Sequence, residues 1–580
     1  MRGLPPVNII NQTMDLSEVK EKWEFDEKNQ VWLLEDVLYT DQATVPAFQR
    51  LSIFVPKGYM SAPGVIDETT EVNGFTAKTV PVIFENNSAG YMQMPHTWIG
   101  GPRNYAKQYL EAGFVYITVG NRGHESVDEN GTFVGKAPAN LVDLKTALRF
   151  IRHNQAYIPG NMERIISVGW SAGGAMSALL SVTGDNNNYT ELLEQNGAFM
   201  DESDSVYASQ IYCPIIDLEH ADLAYEWMFG ADKENENSPA GPAEVMDAFK
   251  EVLSKKLSAA YVTYFNSLKL KNPDTGAVLM INEDGRSGSG YDYLMEKLSQ
   301  SATKFLAKLA AGELPRKYSV EEYLSGDYEY EAPAPIPGPG PKPGKKEQKG
   351  SMLQGFAGPG VSLDGPKPET GNEEGPGGLG VLMLRPPKGV QKPHFEPPMV
   401  TLHGRKKTDW MAVSDHVATI KDLDAYVLNH RRRMKPCTSF DVLAGESGEN
   451  KVFGDAHTNA VHFNTTIAEI IDELKDDFPA EYEMYHDAYA KAIGDKELER
   501  RAYLINPLNF ICTEETSTQA AHYRIRVGAS DADTSLTVGM TLACRLVEAG
   551  YAVDYELVWD QPHSEADYEG EVIEWIRSIV

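Results

Sequence analysis

Cysteine is scarce in this chain of 580 residues: only Cys213, Cys437, Cys512 and Cys544, scattered with no metal-ligand spacing. That excludes a disulfide scaffold or a structural zinc site as the basis of the fold, and reduced, mostly buried thiols fit a reducing compartment. Positive charge is also short, with 53 Lys and Arg against 84 Asp and Glu, a net charge of -31 and a pI near 4.8. Nucleic acid and anionic membranes are therefore not expected as partners. No apolar run approaches a membrane span, and residues 1–27 lack the apolar core of a signal peptide, so a cytoplasmic location is expected unless a leader has been removed. No internal repeat stands out. Hydrophobic residues, by contrast, make up 42%, enough for packed interiors, and 64.1 kDa exceeds one compact core. Two domains, or one core with a large insertion, are expected.

The richest local signal is Arg164-Ile-Ile-Ser-Val-Gly-Trp-Ser-Ala-Gly-Gly-Ala-Met-Ser-Ala-Leu-Leu180. An apolar strand runs into G-x-S-x-G and then into a helix of small residues, the context of a nucleophile elbow. Ser171 is the candidate nucleophile, Gly169 and Gly173 leave room for close backbone packing, and the N–H of Ala172 is offered to a developing oxyanion. A serine nucleophile needs a base and an orienting acid, and the C-terminus supplies both. His522–Gly528 reads as a strand, followed by a loop with Asp531 and Asp533 and a helix through Val547. Tyr551–Trp559 is the next strand, and its following loop carries His563. Acid after the penultimate strand and histidine after the last is the order of an α/β-hydrolase.

Phe48–Val55, Thr79–Phe84, Phe114–Val119 and Gln210–Ile216 read as further strands, and Asn140–His153 as a helix. The β/α rhythm then stops and returns near His522. The expectation is an α/β-hydrolase core in two parts, residues 1–218 and 510–580, with an inserted lid domain, residues 219–509, over the serine. Within the lid, the Pro/Gly-rich stretch near 331–393 predicts extended, flexible loop. Arg431-Arg-Arg433 reads as a solvated basic face. Asn86-Asn-Ser-Ala-Gly-Tyr91 follows a strand at the place where this fold takes its second oxyanion donor, from the backbone of Ala89 or Gly90. Gly120-Asn-Arg-Gly-His124 also follows a strand, with cleft lining and plain loop structure both open. His220 and its neighbouring carboxylates lack a second histidine one helical turn away, so lid packing is expected there and no metal.

Several of these stretches, with others in the lid, resemble the bacterial tannases, the tannin acyl hydrolases. They are Gly169–Gly174, Tyr212–Trp227, Arg433-Met-Lys-Pro436, Glu449–Asp455, Ile505-Asn-Pro-Leu508 and Arg524–Ser535. The likeness runs from about Leu51 to the C-terminus and departs from the family in the extra Pro/Gly-rich segment. Fungal tannases and feruloyl esterases carry cysteines directly before the serine and the histidine. Trp170 and Pro562 stand there instead, which favours the bacterial branch.

The resemblance implies that Asp531 is the triad acid, and that Asp533, Lys435 and Glu449 contact the three hydroxyls of a galloyl ring. It implies a serine esterase that hydrolyses galloyl esters such as methyl gallate and galloylated sugars or catechins, through a galloyl-enzyme intermediate and without metal or organic cofactor. The same-fold alternative is a feruloyl or other phenolic-acid esterase. The alternative of another class is an inactive hydrolase fold used for binding. The preferred alcohol and the oligomeric state are left open.

Overall fold

The computed structural model of the chain describes residues 15–97, 106–233, 245–333, 399–403, 410–430, 432–514 and 516–580. Most of the Pro/Gly-rich segment, residues 334–398, lies outside the described residues, as does Arg431. Nine strands build one mixed sheet: β1 (Glu24–Asp26), β2 (Val31–Leu38), β3 (Arg50–Pro56), β4 (Pro81–Asn86), β5 (Val115–Val119), β6 (Asn161–Trp170), β7 (Ala208–Tyr212), β8 (His522–Gly528) and β9 (Ala552–Val558). Their spatial order is β1-β2-β3-β5-β4-β6-β7-β8-β9. The first three strands and β5 pair antiparallel, and from β5 to β9 every pairing is parallel.

β4, β5 and the second half of β6 are buried throughout. Their continuous Val/Ile/Phe runs follow from this, because a parallel sheet covered on both faces has no solvent side to mark with polar residues. β7 and β8 lie side by side, with Tyr212 opposite Arg526, although residues 213–521 intervene. That intervening region is mainly helical. Its helices begin at side chains that accept the first free N–H groups: Asp247 from Lys250, Asn464 from Ile467, and Asp495 from Glu497 and Leu498.

The structure corrects the sequence reading in four places. β1 and β2 had no legible pattern, because a bulge between Leu34 and Val37, with Asp36 at φ 66°, breaks the two-residue alternation of β2. The strand read through Ile216 stops at Tyr212, since Cys213 turns into the left-handed region at φ 40° and Pro214 has no N–H to offer the ladder. Residues Glu329–Pro333, at the start of the Pro/Gly-rich stretch, pair as a strand with Met399–His403, so the two flanks of that segment meet. Arg433, expected in solvent, is 2% exposed and ion-paired with the equally buried Glu226.

That ion pair belongs to a frame of buried carboxylates on the helix Leu218–Phe229, which follows β7. Asp222 accepts the N–H groups of Ser439 (2.6 Å), Phe440 (2.9 Å) and Asp441 (2.9 Å). Burial pushes its carboxyl up to about 7 against those donors. Glu226 also accepts from Ser254 at 2.6 Å. Asp441 in turn accepts from the N–H groups of Phe463 and Asn464 and from Asn450 Nδ2. A single helix tied to the sheet thus sets the course of residues 433–464 across the strand ends.

Candidate active site

Ser171 stands between β6 and the helix Ala172–Val182 with φ 60° and ψ −128°, backbone strain of the kind a nucleophile elbow holds. The turn closes only because its glycines lack a Cβ. One added to Gly169 would meet the Gly173 carbonyl oxygen at 2.3 Å, and one on Gly174 the Tyr212 carbonyl oxygen at 2.4 Å. Ser171 N donates to Tyr212 O (3.0 Å), and Ile215 N donates to Ser171 O (3.2 Å). The serine is buried and its Oγ makes no hydrogen bond among the described residues. The Ala89–Tyr91 turn, with Gly90 at φ 61°, packs beside the start of the same helix, where a Cβ on Gly173 would lie 3.6 Å from Ser88 N. Tyr91 Oη donates to Ile215 O at 2.6 Å. Ala172, at the start of that helix, and the Ala89–Tyr91 turn packed beside it belong to two different elements.

Asp531 and His563 are brought together by the loops after β8 and β9. His563 Nδ1 lies 2.7 Å from Asp531 Oδ2, and Asp531 Oδ1 accepts the N–H of Asp533 at 2.8 Å. Both carboxylate oxygens are thus engaged and the acid is fully buried. The loops touch at Gly528, where any Cβ would fall 2.3 Å from the carbonyl oxygens of Gln561 and Pro562. Ser530 N donates to Gln561 O at 2.8 Å. Past the histidine, Asp567 takes a two-pronged contact from the buried Arg524 (2.7 and 2.8 Å) and one from Tyr212 Oη (2.9 Å). Burial alone would lower the basicity of His563, but the Asp531 charge, then that of Asp533, and the hydrogen bond to Asp531 outweigh it and hold the imidazole well above the usual histidine range.

Lys435, Glu449 and Asp533 come from three separate segments, and the carboxylate frame presents the first two. Tyr225 is the bridge: its hydroxyl accepts the N–H groups of Met434 (3.2 Å) and Lys435 (3.0 Å) and donates to Ala532 O (2.9 Å), between the two aspartates. Lys435 Nζ lies 3.9 Å from the centroid of the Phe440 ring. Glu449 sits in the short helix Gly448–Val452, which starts with a capping box at Ser447 and packs on the Ala89–Tyr91 turn. Its Oε2 is buried and makes no hydrogen bond among the described residues.

The sequence reading missed residues that support this site. Cys213 Sγ accepts from Gly528 N at 3.4 Å, and its sulfur, an Asp531 oxygen and a His563 nitrogen all lie within 4.8 Å of one another. No spacing rule marks a lone cysteine at a strand end. Tyr225 and Asp222 were hidden in the same way, because a helical period shows which face is buried and not which polar tip reaches a distant loop. His220 packs as expected: Nδ1 is 2.8 Å from Asp217 Oδ1 and the ring stacks on Tyr264 at 3.7 Å. Of the Gly120–His124 run, Arg122 is structural, clasped by the buried Asp143, whereas His124 lies against the turn at Tyr91.

Comparison with known proteins agrees with this layout. The family model BD-FAE matches residues 77–264. No curated protein matches the chain by sequence. Among solved structures, the tannin acyl hydrolase from Lactobacillus plantarum is 28% identical, with 95% of this chain and 94% of that one covered and a TM-score of 0.69. A tannin acyl hydrolase in complex with ethyl gallate gives 28%, the same coverages and a TM-score of 0.68. The Fusobacterium nucleatum tannase shares the fold at 24% identity, 95% coverage of each chain and a TM-score of 0.68. With its parallel strands, its serine turn and its split sheet, the chain is an α/β-hydrolase built along nearly its whole length like the bacterial tannases.

Proposed function

We propose that the protein is a carboxylic ester hydrolase acting on galloyl esters, with Ser171 as nucleophile, His563 as general base and acid, and Asp531 as the orienting acid. The observation that carries the reading is the 2.7 Å contact of His563 Nδ1 with a fully buried Asp531, on loops adjoining the strand-end turn that holds Ser171. That contact leaves Nε2 as the nitrogen for proton transfer. Ser171 Oγ adds to the ester carbonyl carbon as His563 takes its proton. The N–H of Ala172 and one from Ala89 or Gly90 meet the oxyanion. The bond to the alcohol oxygen breaks, and His563 returns the proton to it. Water, deprotonated by the same imidazole, then releases the galloyl group as the free acid and restores Ser171.

The galloyl preference rests on Lys435, Glu449 and Asp533, and on the likeness to a structure that holds ethyl gallate. A trihydroxyphenyl ring presents vicinal groups that donate to carboxylates and accept from an ammonium, and a site built for them rejects rings without them. The test is hydrolysis of methyl gallate, methyl ferulate and methyl benzoate by the purified protein, with Ser171→Ala as control. Preference for the gallate ester, lost with the serine, is expected. Preference for ferulate would move the reading to another phenolic-acid esterase, and no reaction with any ester or with a serine-directed phosphonate would leave a binding protein.

A further inference from the structure

We propose that His124 is a further specificity-determining residue, accepting a hydrogen bond from a ring hydroxyl of the substrate beside Glu449; this rests on the galloyl ester reading. His124 N donates to Tyr91 O at 2.9 Å, Tyr91 Oη donates to Ile215 O, and Ile215 N donates to Ser171 O, so three short contacts link the histidine to the nucleophile. From the other side, a Cβ on Gly448, the residue before Glu449, would lie 3.7 Å from His124 Nε2 and 3.8 Å from the Gly90 carbonyl oxygen. The ring therefore stands at the junction of the oxyanion turn and the Glu449 helix. Its side chain is 8% exposed, and Nδ1 is buried 3.4 Å from Glu125 Oε2 without forming a hydrogen bond. Nδ1 is thus a buried atom without a partner, and Glu449 Oε2, one residue past the Gly448 contact, likewise makes no hydrogen bond among the described residues.

Burial, then the nearby charges of Lys136 and Lys451, bring the imidazole down to about 3, so it is neutral wherever the enzyme works. Lys136 Nζ also donates to His124 O at 2.7 Å, which fixes the loop. A neutral imidazole carries its proton on one nitrogen only; with it on Nδ1, facing Glu125 Oε2 at 3.4 Å, Nε2 is an acceptor suited to a phenolic hydroxyl.

His124→Gln and His124→Asn separate the two ring nitrogens, since a glutamine amide reaches the Nε2 position and an asparagine amide only that of Nδ1. Relative to methyl benzoate, His124→Asn should lose about tenfold in kcat/KM on methyl gallate, and His124→Gln less than about threefold. Equal losses on both esters, or an unchanged ratio in both variants, would overturn the proposal. Should neither variant fold, imidazole 15N signals of the Ser171→Ala protein titrated with gallate decide. A shift of Nε2 in a neutral histidine upholds it, and no such shift overturns it. Failure of the galloyl reading shows separately, as absence of gallate preference in the wild type.

Discussion

The sheet and the inserted region meet around the candidate site but are held by different forces. Around β6, Ile165, Ile166 and Val168 are buried among apolar neighbours, and their contribution is area removed from water, which has no direction. Residues 433–464 hang instead from Asp222, Glu226 and Asp441, each receiving directed hydrogen bonds from backbone or guanidinium. Apolar packing tolerates a lost methyl group, whereas a buried carboxylate does not tolerate a lost partner. The side that holds the proposed nucleophile therefore rests on apolar packing, and the side that holds Lys435 and Glu449 on a small number of directed bonds.

The sharpest break in this comparison comes at the strand ends. Ser171→Ala and His563→Ala should each lower kcat on methyl gallate by several decades with unfolding unchanged, because members of one catalytic unit fail together. Asp531→Asn should cost roughly four decades by favouring the wrong imidazole tautomer. Activity near wild type in any of the three would remove the assignment.

Arg433→Met tests the frame. It leaves Glu226 charged and buried, and urea unfolding should show a loss of about 3–5 kcal/mol. Ile166→Val, in the sheet, should cost only about 0.5–1.5 kcal/mol. Similar values for the two would erase the distinction drawn above. For substrate selection, Lys435→Ala and Glu449→Ala should each remove about 2–4 kcal/mol of transition-state binding, a fall of roughly 30- to 1,000-fold in kcat/KM on methyl gallate. Methyl benzoate hydrolysis should change little. Matching losses on both esters would make these residues structural supports of the inserted region alone.

The smallest effect concerns pH. The proposed mechanism needs His563 unprotonated, so with its raised affinity for the proton kcat/KM should climb only as pH passes a midpoint above the usual value of about 6.5. Asp533 contributes one of the charges that raise it, so Asp533→Asn should move the midpoint to lower pH. The position of the limb is the readout, not its height, which the proposed ring contact would also affect. A midpoint unmoved or raised would contradict the charge argument.

The sequence alone determined what depends on local order. The serine turn was legible because strand, small residues and helix follow one another within a few positions, and backbone sterics permit few conformations there. β8 was read to its ends, His522–Gly528, because it is an uninterrupted run closed by a glycine. The candidate ring contacts came from resemblance, since nothing in the spacing of Lys435, Glu449 and Asp533 marks them as neighbours. Only the tertiary structure decided that Arg433 turns inward, that β2 carries a bulge, that Cys213 lies beside Asp531 and His563, and that Tyr225 ties the Met434–Lys435 backbone to Ala532. All but the bulge join elements far apart in the chain through one side-chain tip. A hydrophobic period records which face is buried, but the identity of a buried polar partner is settled only when the two elements are packed together.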